Sequence, residues 1–457
     1  MPKGIRRRTT EGVTLADLLP SLRTSLASRL EHGLWPATAR QSCAGTLTVG
    51  GVDTAHLAAT FGTPVIAFDL SDVRERARSY RDALPGVEIA YAAKAFLCRS
   101  MARLADQEGL SLDVCSGGEI AVSAAAGFPG ERMILHGNVQ TAEDLKAAFA
   151  AHVGRIVIDS LDGIDRIAAL APHRQPVLLR IVPAVDAGTH AGLTTGTEDQ
   201  KFGLSVATGD AAQAVARVLA RPELDLVGLH CHIGSQVRSV RAYADAARVT
   251  VALLAEIARV HGRALPQLDL GGGHAVAYAE NETSLRLAEF ARTVPALVHD
   301  ECARLGIPVP RLTVEPGRAL VARAGVTIYR VGAVKHGLRR TFVAVDGGMS
   351  DNPRPALYGV RYPVRLVGRP AQAPSLAVTV VGRHCESSDV IAEDVLLPAD
   401  VAVGDLLAVP CSGAYHASLA STYNHVGRPP VVAVASGAML PMLRRETVDD
   451  LLRRDAG

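Results

Sequence analysis

Eight short stretches rich in aliphatic and β-branched residues recur between residues 88 and 317, and helix-like segments separate them. The stretches are EIAYAAK (88–94), LDVCS (112–116), MILHG (133–137), RIVIDS (155–160), VLLRIVP (177–183), LVGLHCH (226–232), QLDLGGG (267–273) and RLTVEPG (311–317). The Ala-, Leu- and Arg-rich segments between them have helical periodicity. Eight parallel strands can close, whereas an open doubly wound sheet usually has fewer. The pattern predicts an α/β fold with a (β/α)8 barrel.

A different pattern begins near residue 320, where candidate strands follow one another without long helices between them. Six such strands lie at 326–334, 341–347, 362–368, 375–382, 405–411 and 430–436. This pattern is typical of a β-barrel or β-sandwich domain. A further candidate, GTLTVGG at 45–51, precedes the barrel and is not needed by it. We therefore expect residues 1–60 to join the β domain, residues 61–318 to form the barrel and residues 319–457 to form the C-terminal β domain.

The composition favours a small molecule as the partner of this chain. Its 48 basic and 46 acidic residues give a net charge of +2, which provides no strong field for nucleic acid or an anionic membrane. We find no apolar signal core behind the arginines at 6–8 and no run of about 18 apolar residues. The seven cysteines show no CxxC spacing, which argues against disulfides and structural zinc. We expect a cytoplasmic protein.

Polar or glycine residues stand at the carboxyl-terminal end of seven of the eight predicted barrel strands. Barrel enzymes build their active sites at this end, so we expect these residues to converge. They are Lys94 after the first strand, Cys115 and Ser116 after the second, His136 and Asn138 after the third, Asp159 and Ser160 after the fourth, His230 and His232 after the sixth, Gly271 to Gly273 after the seventh and Glu315 after the eighth.

Lys94 is one of only five lysines in a chain with 43 arginines, and it stands in the apolar run from Tyr91 to Phe96. A buried lysine is rare without a partner, because burying its charge is costly. Unlike arginine, lysine can lose its proton and act as a nucleophilic amine, including in Schiff bases. The alternative is a lysine at a strand end that reaches the solvent.

A glycine triplet, Gly271 to Gly273, follows the seventh predicted strand, and Gly317 and Arg318 follow the eighth. Barrels commonly bind phosphate with these two loops, although a tight turn would also explain the glycines. A phosphate site beside a lysine that can form a Schiff base indicates pyridoxal phosphate as the cofactor. Glu315 would then hold the proton on the pyridine nitrogen of the cofactor, unless it pairs with a neighbouring arginine.

His230 and His232 lie on the same face of the sixth predicted strand, since side chains alternate along a strand. A pair of metal ligands is one interpretation, but no third ligand has suitable spacing, so we predict no metal site. We prefer one histidine as a flat wall that stacks on the cofactor ring. The other would be a buried, hydrogen-bonded residue.

Six motifs resemble, in order, those of the diaminopimelate decarboxylase family. They are Tyr91-Ala92-Ala93-Lys94, His232-Ile233-Gly234-Ser235-Gln236, Gly271-Gly272-Gly273, Glu315-Pro316-Gly317-Arg318, Cys385-Glu386-Ser387 and Gly413-Ala414-Tyr415, within a resemblance that covers about residues 45 to 440. The resemblance implies the alanine racemase-like fold, in which a barrel that binds pyridoxal phosphate is combined with a β domain. It also implies head-to-tail homodimers with active sites at the interface, and decarboxylation of meso-2,6-diaminopimelate to L-lysine, the last step of lysine biosynthesis.

The resemblance further implies roles for individual residues. Lys94 would form the Schiff base, and Cys385 would enter from the partner subunit as the acid that protonates the carbanion. A thiol suits that task, although most cysteines are simply buried. The implied cofactor contacts are Lys94, His232, Ser235, Gly271, Gly272, Gly273, Glu315, Gly317, Arg318 and Tyr415. The implied substrate contacts are Arg318, Arg354, Tyr358, Glu386 and Tyr415, and the guanidinium of Arg354 is a natural partner for a carboxylate.

Some positions depart from the family pattern. His274 and Ala275 follow the glycine triplet where an apolar residue and another glycine are usual, and Val139-Gln140 replaces the usual Asn-Lys pair. The segment 189–196 that leads to Lys201 is close to the family form. These departures affect the expected substrate more than the expected chemistry.

Three other functions fit parts of the pattern. A related decarboxylase would act on ornithine, arginine or a carrier-bound glutamyl group. A racemase of the same fold would need a second base opposite Lys94, and the Cys385 motif fits one-way protonation better. A non-catalytic binding protein would not be expected to retain both Lys94 and Cys385, and fold alone does not decide function.

Overall fold

The computed structural model describes residues 30–31, 33–186 and 196–457 of the chain. The predicted segment 189–196 therefore lies almost entirely outside the described residues. Between residues 88 and 314, eight parallel strands close into a barrel, as predicted. They are β5 (Glu88–Ala92), β6 (Ser111–Val114), β7 (Met133–Leu135), β8 (Arg155–Ile158), β9 (Gln175–Val182), β11 (Leu224–His230), β12 (Gln267–Asp269) and β13 (Arg311–Val314).

Closure is visible in the pairing of the first and last barrel strands. Strand β13 pairs with β5 through Thr313 and Glu88, and β8 pairs with β9 through Ile156 and Val177. A two-residue strand, β10 (Leu204–Ser205), lies beside β9 outside the ring. The ring therefore contains the eight predicted segments in a continuous parallel sheet.

Helices cover the barrel and alternate with its strands, as the periodicity predicts. In the described part of the barrel they are α2 (Leu70–Ala83), α3 (Arg99–Gln107), α4 (Gly117–Ala124), α5 (Ala142–Ala150), α6 (Leu161–Leu170), α7 (Asp210–Leu219), α8 (Val240–His261), α9 (Leu287–Leu305) and α10 (Arg318–Val321). Ser116 and Ser160 cap α4 and α6 by accepting from the backbone of Glu119 and Gly163. These two serines at predicted strand ends thus start helices, as N-cap residues commonly do.

Side-chain alternation divides the barrel interior into layers, because every second residue of a strand points inward. At the amino-terminal end, Glu88 binds Arg155 and also accepts from Ser111. The middle layer is apolar and is formed by Ala90, Ile134, Val157 and Leu178. The charged layer at the carboxyl-terminal end contains the candidate site.

The second sheet follows the barrel, as predicted, and it is built mainly from the C-terminal third of the chain. Its strands are β14 (Gly325–His336), β15 (Thr341–Val345), β16 (Arg365–Val367), β17 (Ser375–Val381), β18 (Val390–Pro398), β19 (Leu406–Pro410), β20 (Val431–Ala435) and β21 (Ala438–Leu443). The strands β18 and β21 were not predicted. In this region the described helices are short, namely α11 (Arg354–Tyr358) and α12 (Val448–Leu452).

The sheet also contains β4 (Val65–Asp69), which lies between β14 and β20. The predicted barrel boundary at residue 61 therefore precedes a strand that belongs to the other sheet. The apolar sequence Val65-Ile66-Ala67-Phe68 suits a strand covered on both faces, and a barrel strand would look the same. We propose that the barrel unit begins after Asp69.

The segment before β4 forms a small sheet of its own. It consists of β1 (Arg40–Gln41), β2 (Leu47–Val49) and β3 (Val52–Asp53), followed by α1 (Thr54–Phe61). Backbone hydrogen bonds join it to the second sheet, from Gly368 to Gly45 and from Gly437 to Gly50. Strand β2 lies within the predicted strand segment 45–51 and pairs with β1 and β3. Among the described helices, none has the length and apolar character needed to cross a membrane.

Candidate active site

Lys94 lies in a single 3-10 turn, Ala93–Ala95, directly after β5. Its neighbours Ala93 and Ala95 are buried, whereas 43% of its own side chain is accessible. The β domain holds this turn, since Tyr415 N–H donates to Ala95 O at 2.9 Å and Ser418 Oγ donates to the same oxygen at 3.1 Å. The amine is therefore fixed at the mouth of the barrel and remains reachable.

A chain of alternating charges connects Lys94 to Glu315. Lys94 Nζ lies 3.2 Å from Asp113 Oδ2, and His136 Nε2 lies 3.7 Å from Asp113 Oδ1. The same nitrogen lies 2.7 Å from Glu315 Oε1, although the atoms are not aligned as in a hydrogen bond. On the other side, His230 Nε2 donates to Glu315 Oε2 at 3.3 Å. The residues around Glu315 therefore come from the ends of four strands, namely β6, β7, β11 and β13.

The protonation of these groups follows from their surroundings. Burial would raise the pKa of Glu315, but the adjacent His136 and His230 outweigh it and hold that pKa well below its usual range. Burial opposes the charge of His136, but Glu315 and Asp113 raise its pKa, whereas burial lowers the pKa of His230. Glu315 is thus an anion, its charge favours the protonated form of His136, and burial favours the neutral form of His230.

The two histidines of the sixth strand have different partners. His230 contacts Glu315, whereas His232 Nδ1 accepts from the backbone N–H of Gly272 at 3.1 Å. Burial, together with nearby Lys94, lowers the pKa of His232 well below its usual range, so the ring is neutral with its proton on Nε2. His136, His230 and Glu315 have the side-chain types of a metal site, with atoms within 4.8 Å of one another, but here the imidazoles act as partners of the carboxylate.

The glycine loop has no room for side chains. A Cβ on Gly272 would lie 2.0 Å from Glu315 O, and one on Gly273 would lie 1.9 Å from Gly234 O. Gly271 and Gly273 also have φ values of +66° and +87°, which glycine adopts without strain. The loop therefore packs directly against the backbone after β11 and β13. Gly317 is equally confined, because its Cβ would lie 2.9 Å from that of Ala92.

Arg318 begins α10 and is buried beside this loop. Its Nη2 donates to Ser235 Oγ at 3.0 Å, and its Nη1 donates to Tyr278 Oη at 2.9 Å. The ring of Tyr415 lies 4.6 Å from the guanidinium carbon. Within the described residues no carboxylate forms an ion pair with Arg318, although buried charges usually have one. The predicted phosphate residues Ser235 and Arg318 are thus in direct contact.

Arg354 of α11 is also buried, with 2% of its surface accessible. It donates to Tyr362 Oη at 2.7 Å, and its guanidinium carbon lies 4.3 Å from the centre of the Tyr278 ring. Its Nε has no hydrogen-bond partner in the described structure. Tyr278 connects Arg354 to Arg318 and hence to the barrel site.

Three predicted residues are not joined to this cluster. Cys385 and Glu386 lie exposed in the segment between β17 and β18, where Cys385 N–H donates to Asn424 Oδ1 at 3.4 Å. Tyr358 is 37% exposed at the end of α11. In the part of the chain that the structure describes, no hydrogen bond or ion pair connects them to Lys94 or Glu315. Their predicted roles stay predictions.

The departures from the family pattern have structural explanations. His274 lies behind the glycine loop, with Nδ1 2.8 Å from Tyr80 Oη, and burial lowers its pKa to about 3. The ring is neutral and stacks on Tyr80, so it supports the loop from inside. Gln140 is buried and donates to Val157 O at 2.9 Å, whereas Val139 is 64% exposed.

Sequence reasoning missed several residues of the site. It placed His136 at a strand end without a role and passed over Asp113, although a charge inside the apolar run LDV signals a special position. It also passed over Tyr278, Tyr362 and His416, for which no local signal exists. Asp159, predicted among the converging residues, pairs with Arg180 at 3.2 Å and accepts from Gly203 N–H.

The residues present fit pyridoxal phosphate. Lys94 provides an accessible amine, and Glu315 provides a buried anion whose Oε1 has no hydrogen-bond partner in the described structure. The glycine loop, Ser235 and the unpaired charge of Arg318 provide what a phosphate requires. The amine, the anion and the phosphate site lie around one barrel mouth.

Comparisons with known proteins identify the family of this chain. Residues 70–322, more than half of the chain, match the family model described as pyridoxal-dependent decarboxylase, pyridoxal binding domain. The chain is thus a member of the pyridoxal-dependent decarboxylases. It is 58% identical to a diaminopimelate decarboxylase of Actinosynnema pretiosum subsp. auranticum, over 97% of this chain and 100% of the relative. Identity to the diaminopimelate decarboxylase of Mycobacterium tuberculosis H37Rv is 46%, over 93% of this chain and 98% of the relative.

Solved structures show the same relationship. Diaminopimelate decarboxylase from M. jannaschii in complex with L-lysine superposes with a TM-score of 0.87 at 30% identity, over 93% of this chain and 99% of that one. Diaminopimelate decarboxylase from Helicobacter pylori, also in complex with L-lysine, superposes with a TM-score of 0.81 at 28% identity, over 88% of this chain and 99% of that one. Within the pyridoxal-dependent decarboxylases, this chain belongs to the diaminopimelate decarboxylase family.

Proposed function

We propose that this chain decarboxylates meso-2,6-diaminopimelate at its D centre, giving L-lysine and carbon dioxide, with pyridoxal phosphate as cofactor. The observation that carries the proposal is the joint placement of Lys94 and Glu315 at one barrel mouth, linked through Asp113 and His136. The relatives with 58% and 46% identity are named for this activity. Bound pyridoxal phosphate supplies an electron sink for the electrons left when carbon dioxide departs.

Lys94 would hold the aldehyde end of the cofactor covalently, because its accessible amine is the nucleophile that such a bond requires. The Asp113 carboxylate, 3.2 Å away, then stabilises the free ammonium form of Lys94. This contact gives the free amine a fixed position at the mouth of the barrel.

Glu315 would keep a proton on the pyridine nitrogen of the cofactor. Its pKa is held well below the usual range, so it is an anion at neutral pH and favours the charged pyridinium. The hydrogen bond from His230 and the nearby His136, whose protonated form Glu315 favours, make the buried anion tolerable. His232, fixed by Gly272, would present its flat ring to the cofactor.

Cys385 would donate the proton that replaces the carboxylate. Its thiol is exposed in the β domain, as a group that serves another subunit would be. We propose a homodimer in which Cys385 and Glu386 of one subunit complete the site that contains Lys94 of the other. Seven unpaired cysteines are typical of proteins in the reducing cytoplasm, where we place this chain.

The distal end of the substrate would bind at the buried arginines. Arg354 has no carboxylate partner among the described residues, so it can bind the distal carboxylate of the substrate, and Arg318 contributes a second positive charge near this site. Tyr415 lies against Arg318, and Tyr358 lies on the same helix as Arg354. A substrate with a distal carboxylate fits these charges better than ornithine does.

The product formed from meso-2,6-diaminopimelate tests the proposal. Purified protein with pyridoxal phosphate should release carbon dioxide and form L-lysine that carries one solvent deuterium when the reaction is run in heavy water. Ornithine, arginine and lysine should react far more slowly. A preference for ornithine or arginine would refute the proposed substrate, and deuterium in recovered diaminopimelate without release of carbon dioxide would indicate a racemase.

A separate measurement tests the cofactor attachment. Borohydride reduction of the holoenzyme should fix the cofactor to the peptide that contains Lys94, as measured by mass spectrometry. The Lys94→Ala variant should show no such mass increase. Attachment to another lysine would contradict the assignment of Lys94.

A further inference from the structure

Two buried guanidinium groups contact the same tyrosine. The guanidinium carbons of Arg354 and Arg318 lie 4.3 and 5.9 Å from the centre of the Tyr278 ring, and Tyr278 is itself 2% exposed. Among the described residues, no carboxylate forms an ion pair with either arginine. Like charges in a weakly polar interior repel each other, so something must hold these two groups in place.

Tyr278 makes a different contact with each arginine. Its hydroxyl oxygen accepts a hydrogen bond from Arg318 Nη1 at 2.9 Å. Its ring face contacts Arg354, which is a cation–π arrangement. One side chain thus fixes the orientation of Arg318 through its hydroxyl and the position of Arg354 through its ring.

Arg354 has a second support that does not touch Arg318. Its Nη1 donates to Tyr362 Oη at 2.7 Å, and Tyr362 Oη lies 3.0 Å from His416 Nε2. Because the tyrosine oxygen accepts from Arg354, its own proton is free to be donated to His416 Nε2. Burial and the two arginines lower the pKa of His416 well below its usual range, so the ring is neutral and its Nδ1 carries the proton.

The unused hydrogen-bonding groups in this region are mainly donors. Three buried donors, Arg354 Nε, His416 Nδ1 and Asn352 Nδ2, have no partner in the described structure, and neither has the one acceptor beside them, Asn352 Oδ1. Buried donors without partners are costly, so a ligand that accepts hydrogen bonds is expected here. A carboxylate is the acceptor that also compensates the charge of Arg354.

We propose that Tyr278 is a positioning residue that couples two anion sites, the phosphate site at Arg318 and the substrate-carboxylate site at Arg354. An anion at Arg318 reduces the repulsion that Arg354 experiences, and Tyr278 keeps both groups in the geometry in which they act together. Tyr362 binds Arg354 and lies beside His416, so these two residues position the carboxylate site and do not contact Arg318.

The proposal extends the function proposed above, and two tyrosine variants separate its parts. Tyr278→Phe keeps the ring under Arg354 and removes the hydroxyl that orients Arg318. Tyr362→Phe removes the hydroxyl that binds Arg354 and leaves the Arg318 contacts in place. Tyr329→Phe is the matched control, because it removes another buried hydroxyl, which donates to Asp351 at 2.5 Å in the β domain.

Two constants decide the test, the dissociation constant of the cofactor and KM, and kcat is measured beside them for each variant. The dissociation constant of pyridoxal phosphate is obtained by equilibrium dialysis, and KM and kcat are obtained with meso-2,6-diaminopimelate. We expect Tyr278→Phe to raise both the dissociation constant and KM about tenfold, with kcat within about twofold of wild type. Tyr362→Phe should raise KM by a similar factor and leave the dissociation constant unchanged. Tyr329→Phe should lower the melting temperature without changing either constant.

Two results would overturn the coupling. In the first, Tyr278→Phe and Tyr329→Phe lower the melting temperature equally and neither constant changes, which would make Tyr278 structural. In the second, Tyr278→Phe raises only one of the two constants. If wild-type protein does not decarboxylate diaminopimelate, the proposed function fails, whereas weaker cofactor binding by Tyr278→Phe would still support the Arg318 contact.

Discussion

Lys94 Nζ lies 3.2 Å from Oδ2 of Asp113, whose side chain is completely buried in the barrel. The pair joins the end of β5 to the inner face of β6. Asp113 is thus the residue through which the surroundings of the lysine are connected to His136 and Glu315.

Replacing Asp113 should change the proton affinity of Lys94. Burial by itself lowers the pKa of Lys94, but the Asp113 carboxylate outweighs it, so the pKa lies well above its usual value. In Asp113→Asn, we expect the pKa of Lys94 to fall, because the negative charge that contributes most to raising it is gone. The pH dependence of acylation of Lys94 in cofactor-free protein, followed by peptide mass spectrometry, measures the shift. Asp106→Asn, which removes the Arg132 pair at the surface, is the control, and an equal shift there would contradict the role of Asp113.

Replacing Glu315 should lower kcat more than replacing His136. Glu315→Gln removes the anion that would pair with the pyridine nitrogen, and we expect kcat to fall about 100-fold or more. His136→Gln should cost only about tenfold, because His230 remains hydrogen-bonded to Glu315. Steady-state kinetics and the absorbance spectrum of the bound cofactor measure both effects. A greater loss in His136→Gln than in Glu315→Gln would contradict this order.

A methyl group on Gly272 should displace the glycine loop. The added Cβ would lie 2.0 Å from the backbone oxygen of Glu315, which cannot move without moving β13. We expect Gly272→Ala to lower the melting temperature and to lose cofactor on dialysis. Gly118→Ala is the matched control, because the nearest atom to its Cβ is Ser116 Oγ at 3.7 Å and alanine favours a helix. Similar cofactor loss in both variants would show that the crowding at Gly272 is irrelevant.

The charged layer at the amino-terminal end of the barrel, which contains Glu88 and Arg155, should contribute stability that depends on pH. Burial would raise the pKa of Glu88, but hydrogen bonds from Arg155 lower it below its ordinary value of 4.5. The contribution is therefore complete above pH 4.5 and is lost as the pH falls through the lowered value. Glu88→Gln leaves the buried guanidinium of Arg155 unpaired, and we expect a loss of about 3 kcal/mol in the free energy of unfolding at neutral pH.

Chemical denaturation of both proteins between pH 7 and pH 3, read by circular dichroism, tests this dependence. The difference between wild type and Glu88→Gln should shrink as Glu88 becomes protonated. A difference that stays constant over this range would mean that the charge of Glu88 is not what stabilises the barrel.

Mixing two inactive variants tests the shared site. Lys94→Ala and Cys385→Ala should each be inactive as homodimers. If Cys385 serves the partner's Lys94, a heterodimer has one intact site, and random pairing should restore about a quarter of wild-type activity. Activity is measured after subunit exchange at equal concentrations. No recovery, despite heterodimers seen by native mass spectrometry, would mean that both residues act within one chain.

The barrel and the strand ends that surround the candidate site can be predicted from local sequence patterns. Eight β-rich segments separated by helical periodicity specify a closed parallel sheet, because each segment needs the next helix to cover it. Lys94, Glu315 and the glycine triplet stand at strand ends, and parallel strands bring their ends together wherever the sheet closes. These polar signals are local, because each one stands directly after its own strand in the sequence.

Which side chains meet could not be predicted from the sequence, because the contacts join residues that are far apart in the chain. The link from Asp113 through His136 to Glu315 depends on the register of three strands that are far apart in sequence, and alternation predicts the face but not the partner. The same holds for Tyr278, which joins Arg318 to Arg354, and for β4, whose apolar sequence suits either sheet. Ser116 and Ser160 proved to be helix caps, because a polar residue after a strand can equally begin a helix.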